Sequence, residues 1–169
     1  PNKAIFDKPK IIGIQKELQS NLLPIDSEIT KLNQTLHKLE QYRQYLSNGI
    51  QSITEFLTLI ETMKTNPFQA PLISHTPDNR TSLTSQEESN VRIIMRFYST
   101  ISSHSTNREL VLQCGNSLLT NIIKPSKLAS EIFLEECSRK VIERSLLQCC
   151  DREMRICFRD VLWGALKNV

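Results

Sequence analysis

The sequence predicts an all-α protein, and three observations support this fold class. The chain has four glycines among 169 residues, below the usual share of about 7%, whereas strand-joining tight turns and phosphate-binding loops need glycine for positive φ angles. Apolar residues recur at alternating steps of four and three along residues 25–60, as on one face of a helix. Further apolar groups at helical spacing occupy the second half of the chain. We therefore expect an N-terminal helical region at 1–66, a linker at 67–85 and a helical domain at 86–169.

The first predicted element is a short amphipathic helix. Ile11, Ile14, Leu18 and Leu22 lie at helical spacing. Pro24 follows, and it suits the first turn of a new helix, where a missing N–H leaves no hydrogen bond unmade. We therefore expect one helix to end before Pro24 and a second helix to begin there. The chain starts with proline rather than methionine, so we also expect it to be a piece of a longer protein.

The strongest pattern is a heptad repeat that fills five successive heptads after Pro24. Five heptads in register are typical of a coiled coil or of a long bundle helix. We predict that the a and d positions mediate oligomerisation, and we call them the heptad seam. The heptad seam consists of Ile29, Leu32, Leu36, Leu39, Arg43, Leu46, Ile50, Ile53, Leu57 and Ile60.

The residues that flank the heptad seam do not decide which helix packs against it. Among the e and g residues between 33 and 56, only Glu40 is charged, whereas a parallel dimer selected by ion pairs would carry more charges there. Tyr42 and Phe56 widen the apolar face, as expected for a helix that also packs on another element. A self-associating coiled coil, an intramolecular bundle helix and a coil with a different protein all agree with this pattern. Arg43 in the seam either fixes register or partner choice, or extends its charge to solvent.

Turn-forming and capping residues divide the rest of the chain. Proline, asparagine and threonine are frequent in 67–85, which is typical of a linker. Ser85 and Glu88 form a predicted capping box at the start of the next helix, and Thr106 and Glu109 form another. Ser85 also lies in the sequence context of a kinase site, so a regulatory role is the alternative to the cap.

The last 45 residues are predicted to hold two or three helices. Pro125 ends the helix that precedes them. Segments 126–137 and 138–149 are each expected to form a short helix. Asp151 is a suitable N-cap residue for a final helix that runs to the end of the chain.

A weak internal repeat links two of these helices. Asn-Arg-Glu-Leu at 107–110 and Asp-Arg-Glu-Met at 151–154 are 44 residues apart, and each leads to an apolar pair, at 118–119 and 162–163. The period resembles that of HEAT and armadillo helical repeats, and the tail Leu-Trp-Gly-Ala-Leu-Lys-Asn-Val at 162–169 is similar to the end of an armadillo third helix. The resemblance implies stacked helical layers that bury their apolar faces against neighbours. A generic helical bundle is the alternative.

No set of residues indicates catalysis, a cofactor or a metal. The five cysteines are irregularly spaced, and the adjacent pair at 149–150 matches neither a redox nor a zinc motif. We therefore expect buried structural thiols in a non-enzymatic protein. An odd number of cysteines in such a pattern favours an intracellular, reducing location, in the nucleus or the cytoplasm. No apolar run approaches the length of about 18 residues that a membrane-spanning helix needs.

Basic residues near the C-terminus suggest a second interaction surface. Arg152, Arg155 and Arg159 fall on one side of the last predicted helix, and Trp163 follows one turn later. We call these four residues the arginine–tryptophan face and predict that it binds a protein partner with acidic groups. Binding to a nucleic-acid backbone is the alternative function, and an ordinary solvated face is the third interpretation. Together the patterns predict an adaptor or scaffold subunit that assembles complexes through a coiled-coil helix.

Overall fold

The computed structural model describes residues 8–68, 83–104, 106–137, 149 and 151–169. Every regular element among these residues is helical, which confirms the predicted all-α class. Most of the predicted linker and most of the predicted helix at 138–149 lie outside the described residues. The elements are α1 (Lys8–Met63), α2 (Ser85–His104), α3 (Arg108–Leu118) with a π-helical turn at Leu119–Ile123, α4 (Lys127–Glu136) and α5 (Arg152–Asn168).

The predicted helix break at Pro24 is wrong, because α1 continues through this residue. A proline inside a helix removes one N–H donor and leaves the carbonyl four residues earlier without its helical partner. Residues on both sides of Pro24 are exposed, so solvent can satisfy that carbonyl. Leu22 and Ile25 also keep the apolar spacing across the proline, so the helical face is uninterrupted.

The chain forms two compact units, at 1–47 and 48–169. The described part of the first unit is helical throughout and contains no buried residue. The second unit takes in the last turns of α1 together with α2 to α5. The sequence boundary at residue 66 thus lies near the end of α1, whereas the packing boundary lies within that helix.

The core of the second unit is built around α2. Its residues Ile94, Met95 and Tyr98 are fully enclosed, as their helical spacing predicts. The end of α1 adds Phe56, whose ring stacks on that of Phe97 with centroids 3.8 Å apart. Phe56 thus packs against another element, as its position beside the heptad seam suggested. The remaining large enclosed side chains are Val91, Val111, Leu118, Ile122, Ile123, Ile132, Phe133, Phe158 and Val161.

In the second unit, α2 packs on α4, α3 packs on α5, and α4 also packs on α5. Arg92 Nη1 on α2 donates to Glu136 Oε1 on α4 at 3.1 Å, across 44 positions of sequence. Arg108 Nε donates to Asp151 Oδ2 at 2.9 Å, across 43 positions. These separations are close to the offset of 44 between the repeated tetrapeptides. The packing is compatible with a helical repeat and with a generic helical bundle.

Two glycines allow α3 and α5 to approach closely. A Cβ atom at Gly115 would lie 2.5 Å from the Cys157 sulfur and 2.7 Å from the Tyr98 hydroxyl oxygen. At Gly164 it would lie 2.4 Å from Cδ1 of Leu119, in the π-helical turn. At Gly115 a larger residue would meet the enclosed Tyr98 ring and Cys157, whereas at Gly164 it would displace the end of the Leu119 side chain.

The cap of α2 is displaced by one residue from its prediction. Thr84, not Ser85, caps the helix, because the Thr84 hydroxyl accepts from the Glu87 N–H at 3.2 Å and Glu87 Oε2 accepts from the Thr84 N–H at 2.8 Å. The Glu88 carboxylate, which the predicted box required, instead pairs with Arg92 at 3.0 Å. The local pattern allowed both boxes, and this ion pair leaves Glu87 for the cap.

Of the two caps predicted for the later helices, the one at Asp151 is confirmed and the one at Thr106 is displaced by one residue. Asn107, rather than the predicted Thr106, caps α3 by accepting the N–H three residues on at 3.1 Å. Asparagine is the stronger N-cap residue of the two. Ser126 caps α4 and Asp151 caps α5, each through a side-chain oxygen. The predicted starts of both of these helices are confirmed.

Candidate interaction surfaces

The heptad seam forms a row of exposed aliphatic side chains on α1. Its nine apolar residues expose between 37% of their surface, at Ile60, and 68%, at Ile50. Single exposed aliphatic residues are common on protein surfaces, whereas contiguous apolar patches mark interaction sites. The structure therefore places the predicted residues where a partner can reach them, and their role in oligomerisation stays a prediction.

A different face of α1 packs into the core of the second unit. Ser52, Phe56 and Leu59 are the buried residues of the helix, and they occupy c and g positions. At 100° per residue, the middle of this buried face lies about 110° around the helix from the middle of the heptad seam. Core packing and the heptad seam therefore use separate faces, so Ile50 and Leu57 stay exposed beside buried Phe56.

Arg43 is the one charged member of the heptad seam. It is exposed and makes no ion pair within the part of the chain that the structure describes. Glu40, one turn earlier on an e position, is also exposed. These two opposite charges lie beside an apolar row, where any partner helix would have to accommodate them.

The arginine–tryptophan face lies on the surface of α5. Its three arginines are exposed, and Trp163 exposes 59% of its surface. Arg159 Nη2 pairs with Asp160 Oδ1 at 2.8 Å, and the Lys167 ammonium lies 5.4 Å from the Trp163 ring centroid. A shallow cavity of about 390 Å³ opens beside the indole, with Leu166 in its wall. The face thus combines cations, an aromatic ring and a recess suited to an apolar side chain.

The sequence did not predict a larger cavity of about 750 Å³ in the second unit, which Gln113 and Asn116 line together with apolar residues. Phe56, Phe68 and Phe97 line it together with Leu110 and Cys114. These residues come from α1, α2, α3 and a segment assigned to the linker, so no spacing rule relates them. Because residue 68 was assigned to the linker, Phe68 was not predicted to be buried, although it is only 4% exposed.

The cysteines of the second unit are mostly buried, as the sequence predicted. Cys114, Cys137 and Cys157 are buried, and Cys149 is half-buried, whereas Cys150 lies outside the described residues. Burial raises the pKa of Cys137 to about 12 and the pKa of Cys114 to about 11. Such thiols stay protonated near neutral pH and are poor nucleophiles.

Neither a metal cluster nor a membrane helix is found in the described ranges. No three histidine, cysteine or acidic side chains come together there as metal ligands would. Among the same residues, no helix has the length and apolar character needed to span a bilayer. Comparison of the chain with protein-family models, curated proteins and solved structures gives no match. The heptad seam and the arginine–tryptophan face are therefore the features that bear on function.

Proposed function

We propose that the protein is a non-enzymatic adaptor or scaffold subunit. It assembles through the heptad seam of α1 and binds an acidic protein partner through the arginine–tryptophan face of α5. The observation that carries this proposal is the continuous exposure of the heptad seam beside a separate, buried face of the same helix. Free thiols in the described residues favour an intracellular location, in the nucleus or the cytoplasm.

The heptad seam offers enough apolar surface to drive assembly. Full burial of an aliphatic side chain stabilises by about 1.5–3 kcal/mol, so covering a side chain that is half exposed contributes about 1 kcal/mol. Nine apolar residues on each helix therefore supply on the order of 10–20 kcal/mol. Association costs about 4–15 kcal/mol in lost freedom of motion, so a stable complex is within reach.

Charge and shape favour a protein partner on α5. Tryptophan and arginine are the residue types that most often dominate binding energy at protein interfaces, and the recess beside Trp163 suits an apolar anchor. Glu153 lies between the arginines along α5 and Asp160 directly follows the last of them, and both carboxylates would repel a phosphate backbone. The alternative function, a nucleic-acid-associated module, relies on the same three arginines.

The second unit is proposed to be armadillo- or HEAT-like. The support is the contact of α2 with α4, and of α3 and its π-helical turn with α5, through residues 43 to 45 positions apart. In such repeats, each helix packs on its counterpart in the next repeat. Arg92, Arg96 and Arg108 make polar contacts between counterparts.

Light scattering on the full chain tests assembly. We expect an oligomer at micromolar concentration, which Leu39→Glu combined with Leu46→Glu dissociates because two charges enter the heptad seam. Gln34→Glu combined with Gln41→Glu is the matched control, since it adds the same charge at exposed f positions. A monomeric wild-type chain, or an oligomer that survives the seam substitutions, contradicts the assembly proposal.

Fluorescence polarisation tests the arginine–tryptophan face. The probe is a labelled peptide that carries glutamates and leucines at helical spacing. We expect Arg152→Glu combined with Arg155→Glu to weaken binding at least about tenfold, while Lys124→Glu combined with Lys127→Glu leaves it unchanged. Tighter, steeply salt-dependent binding of an oligonucleotide would instead support the nucleic-acid alternative.

A further inference from the structure

We infer that the partner of the heptad seam is a second copy of this chain, bound antiparallel with residue 41 of each helix at the two-fold axis. The inference rests on the proposed assembly and adds the occupant, its direction and its register. Three observations carry it: the symmetry of the seam about residue 41, the exposed Arg43 within the seam, and the exposed Glu40 beside it.

About residue 41, every apolar residue of the row from 22 to 60 faces another apolar residue, except Leu39, which faces Arg43. Because α1 continues through Pro24, Leu22 and Ile25 extend the heptad seam toward the N-terminus in the same register. In an antiparallel pair, each a residue faces a d residue of the other helix. Six such facing pairs lie on each side of the two-fold axis. The facing positions are 39 with 43, 36 with 46, 32 with 50, 29 with 53, 25 with 57 and 22 with 60.

This register gives each Arg43 an acidic partner. Arg43 faces Leu39 of the partner subunit, and Glu40 of the partner subunit lies one residue further, about 1.5 Å along the axis. In antiparallel pairs the e positions of the two helices lie on the same side as the a side chains, so guanidinium and carboxylate meet at the edge of the seam. The two copies form two such pairs, and the four charges cancel.

A parallel, in-register dimer leaves Arg43 without a counter-charge. Each Arg43 would face Arg43 of the partner subunit in an apolar layer, and arginine stays protonated at every accessible pH. The e and g positions would bring Glu28 opposite an asparagine and Glu40 opposite a threonine, so no flanking ion pair would select this direction.

Other antiparallel registers either leave Arg43 without an acidic neighbour or place a polar residue in an apolar layer. A shift of one heptad toward the N-terminus replaces the acid beside Arg43 by Asn33. A shift of two heptads brings Asp26 beside Arg43, but it places the polar Gln15 against Ile53 within the seam. The register centred on residue 41 is the one that keeps these layers apolar and the arginine paired.

Cross-linking a mixture of light and isotope-labelled chains tests the direction without any substitution. Lys16 and Lys64 are exposed, and the inferred register places Lys16 of one copy within two residues of the facing position of the partner's Lys64. We expect mixed-isotope cross-links between Lys16 and Lys64. Cross-links that join Lys16 to Lys16, or Lys31 to Lys31, would overturn the antiparallel arrangement in favour of a parallel one.

Charge reversal tests the register. Glu40→Arg should weaken dimerisation about tenfold, because each Arg43 then meets an arginine of the partner. Arg43→Glu should act similarly, and the exchange Glu40→Arg with Arg43→Glu should return affinity to within about threefold of the wild type. Glu17→Arg, at an exposed c position, is the control for the same change in charge, and circular dichroism checks that helix content is kept.

The outcomes separate this inference from the proposed function. A strictly monomeric chain overturns both. An oligomer that dissociates with Leu39→Glu and Leu46→Glu, but is indifferent to Glu40→Arg or cross-links in parallel, keeps assembly through the heptad seam and overturns the antiparallel register alone.

Discussion

The two compact units differ in the exposure of their apolar residues. In the first unit, the described part of α1 leaves its apolar residues exposed, with Leu32 at 61% and Leu39 at 60%. In the second unit, α2 encloses a comparable row, with Ile94 and Tyr98 at 0%. Both rows have helical spacing, so the difference lies in whether the same chain supplies a covering surface.

This contrast separates folding from association. A row covered by the chain's own helices stabilises the fold at any concentration, whereas an exposed row stabilises only what it binds, by mass action. The end of α1 shows both behaviours at once, because Phe56 belongs to the core while Leu57, the next residue, is 54% exposed. Substitutions in the two rows should therefore be distinguishable by their dependence on protein concentration.

The largest expected effect comes from truncating one enclosed side chain of the core and one exposed side chain of the heptad seam. Phe133→Ala in the core of the second unit should lower the free energy of unfolding by about 3–5 kcal/mol, because it removes a fully enclosed ring. Leu36→Ala in the heptad seam should change the unfolding of the second unit by less than about 0.5 kcal/mol while weakening association. Denaturant titrations at two protein concentrations measure both unfolding and association. Equal effects of the two substitutions on unfolding would contradict the distinction between the core and the heptad seam.

An intermediate effect should follow from alanine at two glycines. Gly115→Ala should destabilise the second unit by about 1–3 kcal/mol, because its Cβ would overlap the Cys157 sulfur and the Tyr98 hydroxyl. Gly13→Ala should raise the helix content of the first unit and stabilise it by up to about 1 kcal/mol, because nothing lies within 4 Å of the new Cβ. Thermal melts followed by circular dichroism compare the two, and a stabilising Gly115→Ala would contradict the close packing of α3 on α5.

Local sequence patterns predicted most of the helices. The predictions that were wrong have physical causes. Apolar spacing predicted the enclosed face of α2 through Ile94, Met95 and Tyr98, because burial follows helical periodicity directly. The predicted break at Pro24 failed because an exposed helix tolerates one unpaired carbonyl. The caps at Thr84 and Asn107 were displaced by one residue because neighbouring side chains there can each cap a helix.

The way the helices pack on one another could not be predicted from the sequence, since it depends on contacts between residues far apart in the chain. Arg92 pairs with Glu135 and Glu136, and Arg108 with Asp151 and Glu153, yet nothing in the local sequence marks one acid over another. The heptad seam was predictable as a row, but its exposure was not. The seam is exposed because α1 packs on α2 through Phe56 and not through the seam residues.

The smallest expected effect is a pH dependence confined to the second unit. Burial raises the pKa of Cys137 from 9.0 to about 12, so between these values the unfolded chain has lost a thiol proton that the folded chain keeps. Stability from this group is complete below pH 9 and falls as pH rises, by about 1 kcal/mol between pH 9 and 10. Unfolding titrations of the wild type and of Cys137→Ala should differ in this slope, whereas the helix content of the first unit should not respond to the substitution. An identical slope in both chains would show that the thiol ionises without unfolding and that the core around Cys137 is open to solvent.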